Sequence, residues 1–180
     1  MGFKQSKTFM NLQTVFGAEC KSFAKYSMYA AKAKEDGFEQ IGEIFAQTAG
    51  NELEHAKIRF KLINEADDLP YTSDNLKEAE ICENYENRVM YKRFAAVAKE
   101  EGYRKIADLL EKIGRTEAAH ERRFAALALN MDTAKVFYKD DKKIWVCRNC
   151  GYETYDWQSR EKCPVCGADQ GFSQIKPENY

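Results

Sequence analysis

The sequence predicts an all-α protein, a four-helix bundle followed by a small C-terminal metal-binding module. Three observations predict it. Residues 8–130 contain a single proline, Pro70. The two halves of that stretch repeat each other, so that "AAKAKEDGFEQIGEIF" (30–45) aligns with "AAVAKEEGYRKIADLL" (95–110) at an offset of 65. Four of the six cysteines then crowd between 147 and 166 as two Cys-x-x-Cys pairs.

The helices follow from the breakers. Gly37 and Gly102 each follow an acidic pair and suit the left-handed position just past a helix end. Pro70 stands in "EADDLPYTSD", a polar connection. Four helices are therefore expected near 8–35, 38–64, 74–101 and 103–130, each about 40 Å long at 1.5 Å per residue. A helical hairpin used twice builds a bundle of approximate two-fold symmetry. After Met131, "DTAKVFYKDDKK" loses the 3.6-residue period and reads as a tether. The expected organisation is a bundle over 1–134, a linker over 135–143 and a metal module over 144–180.

Composition excludes other classes. With 28 Lys+Arg against 29 Asp+Glu, the chain lacks the basic footprint that nucleic acid requires. No apolar run approaches the roughly 20 residues that span a bilayer, so no membrane partner is expected. The N-terminus "MGFKQSKTFMNLQTVF" lacks the apolar core of a secretory signal, and a cytoplasmic protein is expected. Gly2 and Ser6 fit the short Met-Gly-x-x-x-Ser acylation pattern, one often met by chance.

The chain has two histidines, and both stand in Glu-x-x-His: Glu52–His55 and Glu117–His120. Residues i and i+3 share a helix face, so each pair can point at one metal. The 65-residue offset carries Glu52 onto Glu117, His55 onto His120 and Tyr26 onto Tyr91. The other two helices offer Glu19 in "FGAECKSF" and Glu83 and Glu86 in "EICENYENR". Each acid interrupts a buried-looking run, which is costly unless it is paired or metal-bound. Glu19 precedes Glu52 by 33 residues and Glu83 precedes Glu117 by 34, so the repeat covers them within one residue. Five carboxylates and two imidazoles suit iron or manganese. Tyr26 and Tyr91 follow their acids on nearly the same face, as partners for the ligand carboxylates or as core tyrosines. Cys20 and Cys82 adjoin ligands but turn about 100° away, and are expected to be small buried residues.

In the cysteine segment, Cys147, Cys150, Cys163 and Cys166 form two knuckles that give a thiolate tetrahedron for zinc or iron. A segment this small needs such a staple. Trp145, Tyr152 and Trp157 are expected to form its aromatic core.

The Gly-Ala-Glu-Cys context of Glu19, "ENYE" at 83–86, both Glu-x-x-His motifs and the terminal cysteine segment together resemble the rubrerythrin family over essentially the full length. The resemblance implies a ferritin-like bundle with a di-iron centre and a rubredoxin-like module holding one iron in four sulfurs. It implies that Glu19, Glu52, Glu83, Glu86, Glu117 and His120 are iron ligands, with Glu52 and Glu117 bridging. His55 would ligate iron in the reduced state and yield to Glu86 on oxidation. The implied activity is peroxidase: hydrogen peroxide is reduced to water, in oxidative stress defence. Its electrons would pass through the rubredoxin-like iron from a separate rubredoxin or NAD(P)H-dependent reductase, since the chain has no Gly-x-Gly-x-x-Gly motif. A homodimer, with or without exchanged domains, is implied as well. Two other classes fit parts of the sequence: an iron-storage protein, and a non-redox protein with structural zinc in its cysteines.

Overall fold

The computed structural model describes residues 2–65 and 69–177. Residues 66–68 of the expected Pro70 connection, residues 178–180 of the expected metal module and Met1 of the N-terminal pattern lie outside the described residues. The chain divides into two units, Met1–Pro70 and Tyr71–Tyr180.

The first unit is a helical hairpin of α1 (Lys7–Glu35) and α2 (Glu39–Ile63). Ser6 caps α1, its Oγ accepting the Phe9 N–H at 3.1 Å. The turn between the helices is made by Gly37 at φ 85°. There the Phe38 N–H reaches back to Ala33 O and the Gly37 N–H to Lys34 O, which satisfies carbonyls that a helix end otherwise leaves open. Buried Ala30 and Ala33 of α1 and Gly42, Ala49 and Ala56 of α2 let the backbones approach closely. A Cβ added at Gly42 would stand 3.1 Å from Ala30 O.

The second unit repeats this hairpin with one alteration. Its first arm is α3 (Thr72–Tyr85), a π-helical turn (Glu86–Met90) and α4 (Tyr91–Glu100), and its second is α5 (Arg104–Asp132). Gly102 repeats the turn at φ 85°, with Tyr103 N–H bonded to Ala98 O and Gly102 N–H to Lys99 O. Ala95, Ala98, Ala107 and Gly114 are buried at the positions of Ala30, Ala33, Gly42 and Ala49. The π turn explains why the repeat slips. Before it the halves are offset by 64, as Glu19 is to Glu83; after it they are offset by 65, as Tyr26 is to Tyr91. A π turn accommodates one extra residue without breaking the helix, so the insertion lies between Glu83 and Tyr91.

The four long helices are thus those expected, with the third carrying an irregular turn that periodicity alone does not reveal. Cys20 and Cys82 differ from expectation, since both are exposed. Turning off the ligand face does not carry them into the hairpin contact, which is made by alanine and glycine.

The C-terminal module is a three-stranded antiparallel sheet, ordered β2-β1-β3, of β1 (Tyr138–Cys147), β2 (Glu153–Gln158) and β3 (Ser173–Ile175). β1 starts at Tyr138, inside the stretch the sequence assigns to the linker, and pairs irregularly between Tyr138 and Lys143. Trp145 is 3% exposed and its indole N–H donates to Asp156 O at 3.0 Å. Tyr152 and Trp157 do not join it: both are more than a third exposed, so the expected aromatic core is corrected to Trp145 alone. A sheet this short has room for one large side chain beside the four cysteines.

The left-handed helix ends give a test with both signs. Gly37→Ala and Gly102→Ala should each destabilise the protein by about 1 kcal/mol, the cost of a Cβ in that conformation. Ala134, which ends α5 at φ 56°, should show the reverse, with Ala134→Gly stabilising by a similar amount. Urea unfolding of the three variants measures both.

Candidate metal centres

Each hairpin gathers one carboxylate from its first arm and a Glu-x-x-His pair from its second. In the first unit, Glu19, Glu52 and His55 each offer a donor atom, all within 4.8 Å of one another. Glu83, Glu117 and His120 do the same in the second unit. The i, i+3 spacing delivers each pair because the helices run unbroken through it, and the hairpin contact delivers the third residue. His55 Nδ1 stands 3.5 Å from Glu52 and 3.9 Å from Glu19. His120 is held more closely, with Nδ1 2.8 Å from Glu117 and 3.5 Å from Glu83. The His55 side chain is 51% exposed and that of His120 36%.

The donor sets fit a cation. Glu19 is buried, with its side chain 11% exposed, and among the described residues its Oε2 has no hydrogen-bond partner. An unpaired buried carboxylate oxygen is unfavourable by several kcal/mol unless a cation compensates it. In the second unit, burial pushes the Glu83 carboxyl above its usual range; His120 opposes this, and the charge and hydrogen bond of Glu117 add to it. Burial and a neighbouring acid both favour the neutral form. A metal ion placed between Glu83 and Glu117 would relieve both effects.

Glu86 begins the π turn and is not in the three-residue group, but its charge is felt nearby. Burial raises the Tyr91 hydroxyl above its ordinary range, and Glu117, Glu86 and Glu83 raise it further. Tyr91 is thereby placed among the carboxylates of its own hairpin. Tyr26 packs its ring on Tyr29 and Phe45 instead. Among the described residues, no hydrogen bond joins either hydroxyl to a carboxylate.

Two residues beside the carboxylates escaped the sequence reading. Arg59 stands 3.5 Å from Glu19 Oε1. Its place seven residues after Glu52, on the same face of α2, was the available signal. Glu121 accepts from Asn84 Nδ2 at 2.6 Å and Asn87 Nδ2 at 3.3 Å, with Arg88 Nη2 at 3.4 Å. The Asn84 hydrogen bond, followed by those of Asn87 and the charge of Arg88, holds its carboxyl below the usual range against a smaller opposing effect of burial. No sequence pattern marks Glu121 as more than a neighbour of His120.

All four module cysteines are free thiols whose sulfurs lie within 4.8 Å of one another. Cys147 and Cys166 sulfurs are 3.7 Å apart, and those of Cys150 and Cys163 3.5 Å. A tetrahedron with metal–sulfur bonds of about 2.3 Å has edges of about 3.8 Å, so the thiols are spaced for a metal and are too far apart for disulfides. Gly151 (φ 79°) and Gly167 (φ 72°) bend each knuckle, their N–H groups bonding Cys147 O and Cys163 O. That bend turns the next N–H onto sulfur, from Tyr152 to Cys150 and from Ala168 to Cys166.

The thiols differ in acidity. Asn149 and the Ala168 N–H hold the Cys166 thiol down at about 6, with burial opposing and Cys150 and Cys163 lowering it further. For Cys150, the Tyr152 N–H lowers the thiol but is outweighed by burial and by the other three sulfurs, which push it up to about 12.

Comparison with known proteins finds matches to both the helical part and the C-terminal module. A family model described as "Rubrerythrin" matches residues 10–128, and one described as "Rubrerythrin, rubredoxin-like domain" matches residues 145–172. The rubrerythrin of Nitratidesulfovibrio vulgaris is 38% identical over 188 residues, covering 98% of this chain and 98% of that protein. The rubrerythrin of Porphyromonas gingivalis is 35% identical over 187 residues, covering 98% and 94%. Among solved structures, the fully reduced, all-ferrous state of nigerythrin aligns at 29% identity with a TM-score of 0.37, covering 95% of this chain and 87% of that one.

In reduced, metal-free protein, alkylation should separate Cys166 from Cys150. Cys166 should reach half its maximal rate near pH 6, because its thiolate forms on raising pH through that value. Cys150, exposed like Cys166, should react more slowly than Cys166 at neutral pH, because its thiol is pushed up to about 12. Mass-spectrometric mapping of iodoacetamide labelling across pH measures this; identical profiles for the two would contradict the hydrogen-bond assignment.

Proposed function

The chain belongs to the rubrerythrin family, and we propose on that footing that it is a peroxidase reducing hydrogen peroxide to water, in oxidative stress defence. Members of this family are di-iron proteins with a second, rubredoxin-like iron site, and are oxidoreductases. The family's fold is the ferritin-like bundle of four helices, and the four long helices of this chain are the elements it needs. The single observation that carries the reading is the coexistence of two carboxylate–histidine groups and one tetrathiolate group in one chain.

In this proposal Glu19, Glu52, Glu83, Glu86, Glu117 and His120 would hold two irons, with Glu52 and Glu117 assigned as the carboxylates shared between them. When bound, the iron pair supplies the two electrons that cleave the O–O bond of hydrogen peroxide, two protons completing two waters. His55 would serve as a ligand in the reduced state, and Glu86 in its stead on oxidation. The looser hold on His55 than on His120, in both distance and exposure, supports that division of roles. Tyr26 and Tyr91 are assigned to orient the ligand carboxylates once metal is bound; Tyr91, with Glu117, Glu86 and Glu83 acting on its hydroxyl, is the better supported of the two. Cys147, Cys150, Cys163 and Cys166 would hold the third iron, which would supply a one-electron entry point. Cys150 and Cys166 are exposed, which suits a donor protein approaching from that side. The donor is a rubredoxin or an NAD(P)H-dependent reductase.

We place the domain limits at 1–134, 135–143 and 144–180, and the protein in the cytoplasm. Among the described residues no helix is long and apolar enough to cross a membrane. A homodimer, with or without exchanged domains, is part of the proposal. It is supported by large apolar side chains left exposed in both units, such as Ile44, Ile58, Ile106 and Leu109. Sedimentation should give twice the mass of one chain; a monomer at micromolar concentration would contradict this.

Peroxide-dependent oxidation of a reduced rubredoxin or of NAD(P)H, with a suitable reductase, should proceed for many turnovers. Stoichiometric iron uptake without turnover would favour storage instead. His55→Ala should retain two bundle irons when oxidised but lower turnover by roughly a hundredfold, as loss of a well-placed active-site group does. Unchanged turnover would remove His55 from the mechanism.

A further inference from the structure

In the small-residue stripe of their second arms the two hairpins differ in charge at one position, and that position faces the π turn. In α2 a stripe of small buried residues recurs every seven positions as Gly42, Ala49 and Ala56. The matching stripe in α5 is Ala107, Gly114, Glu121 and Ala128, of which Ala107, Gly114 and Ala128 are buried. A carboxylate therefore stands where the first hairpin has Ala56. Its side chain is only 15% exposed, and all three of its described polar partners come from the arm it packs against. Asn84 precedes the π turn, while Asn87 and Arg88 lie within it. The first hairpin has neither the inserted residue nor the acid.

We propose that Glu121 is a positioning residue that holds the π turn in register, and through it sets where Glu83, Glu86 and Tyr91 point. A helix can expel a π turn only by rotating the residues on one side of the insertion by about 100° relative to those on the other. Donors from before and within the turn converge on one carboxylate, so either rotation breaks at least one hydrogen bond to a charged acceptor. Glu83 lies ahead of the insertion, Glu86 opens it and Tyr91 follows it. Gly114, one turn-pair before Glu121 on α5, completes the constraint: a Cβ there would stand 3.1 Å from Tyr91 Cβ, so the arm sits tightly on α5 at its far end. The catalytic part of this inference rests on the di-iron reading above; the structural part does not.

The test compares Glu121→Ala, Glu121→Gln and Asn87→Ala with the parent by hydrogen exchange in the metal-free full chain, and by iron content and peroxide turnover in the loaded protein. Glu121→Ala should speed amide exchange across residues 84–92 by about tenfold, the population change from losing one or two charge-assisted hydrogen bonds. Exchange in α1 and α2 should not change. Turnover should fall roughly tenfold or more with iron retained. Glu121→Gln, which keeps an acceptor oxygen, should recover part of both effects. Asn87→Ala should speed the same peptides in the parent but add nothing to Glu121→Ala. Should Glu121→Ala fail to fold, Glu121→Gln and Asn87→Ala alone decide, through the same peptides. Unchanged exchange in all three variants would overturn the proposal. Faster exchange with unchanged turnover would overturn the link from register to ligands, and absence of turnover in the parent would overturn the peroxidase reading while leaving the clamp standing.

Discussion

The structure depends on carboxylates from two helix arms being brought together and partly buried at each hairpin. Glu19 is buried with one oxygen unpartnered, and Glu83 is pushed toward its neutral form by burial and by Glu117. Each hairpin thus offers carboxylate oxygens to a cation, the open Glu19 Oε2 in the first and the Glu83–Glu117 pair in the second, and each supplies an imidazole three residues from an acid to complete the donor set. The hairpin architecture serves this placement. Alanine and glycine at the helix contact bring the arms close enough for residues from both to meet within a few ångströms. Larger residues at Ala49 or Ala56 would separate the arms and dissolve the group.

Duplication makes the chemistry symmetric, and the π turn makes it unequal. One inserted residue between Glu83 and Tyr91 gives the second hairpin an acid, Glu86, with no counterpart in the first. It also places Tyr91 among acids, whereas Tyr26 stacks on other aromatics. The two histidines follow the same division, His120 closely held and His55 less so.

Much of this was legible in the sequence because it is carried by local rules. Helix ends were marked by Gly37 and Gly102, the ligand faces by i, i+3 spacing, and the knuckles by Cys-x-x-Cys-Gly. The one-residue slip between Glu19–Glu52 and Glu83–Glu117 was visible as well, but its cause was not. A π turn differs from an α-helix in which carbonyl each N–H selects, and no residue type in "ENRVM" dictates that choice. Glu121 and Arg59 escaped for a related reason: their roles come from what faces them across the hairpin. The exposure of Cys20, Cys82, Tyr152 and Trp157 was likewise decided by packing partners, since each is apolar enough to be buried had the contact reached it.

The central claim is that two carboxylate–histidine groups and one thiolate group hold iron together in one chain. Metal analysis with Mössbauer spectroscopy on anaerobically purified protein tests it most directly. About three irons per chain should be found, one in a tetrathiolate environment and two in an oxygen- and nitrogen-rich pair. Zinc in the thiolate site together with carboxylate–histidine groups free of metal would contradict it.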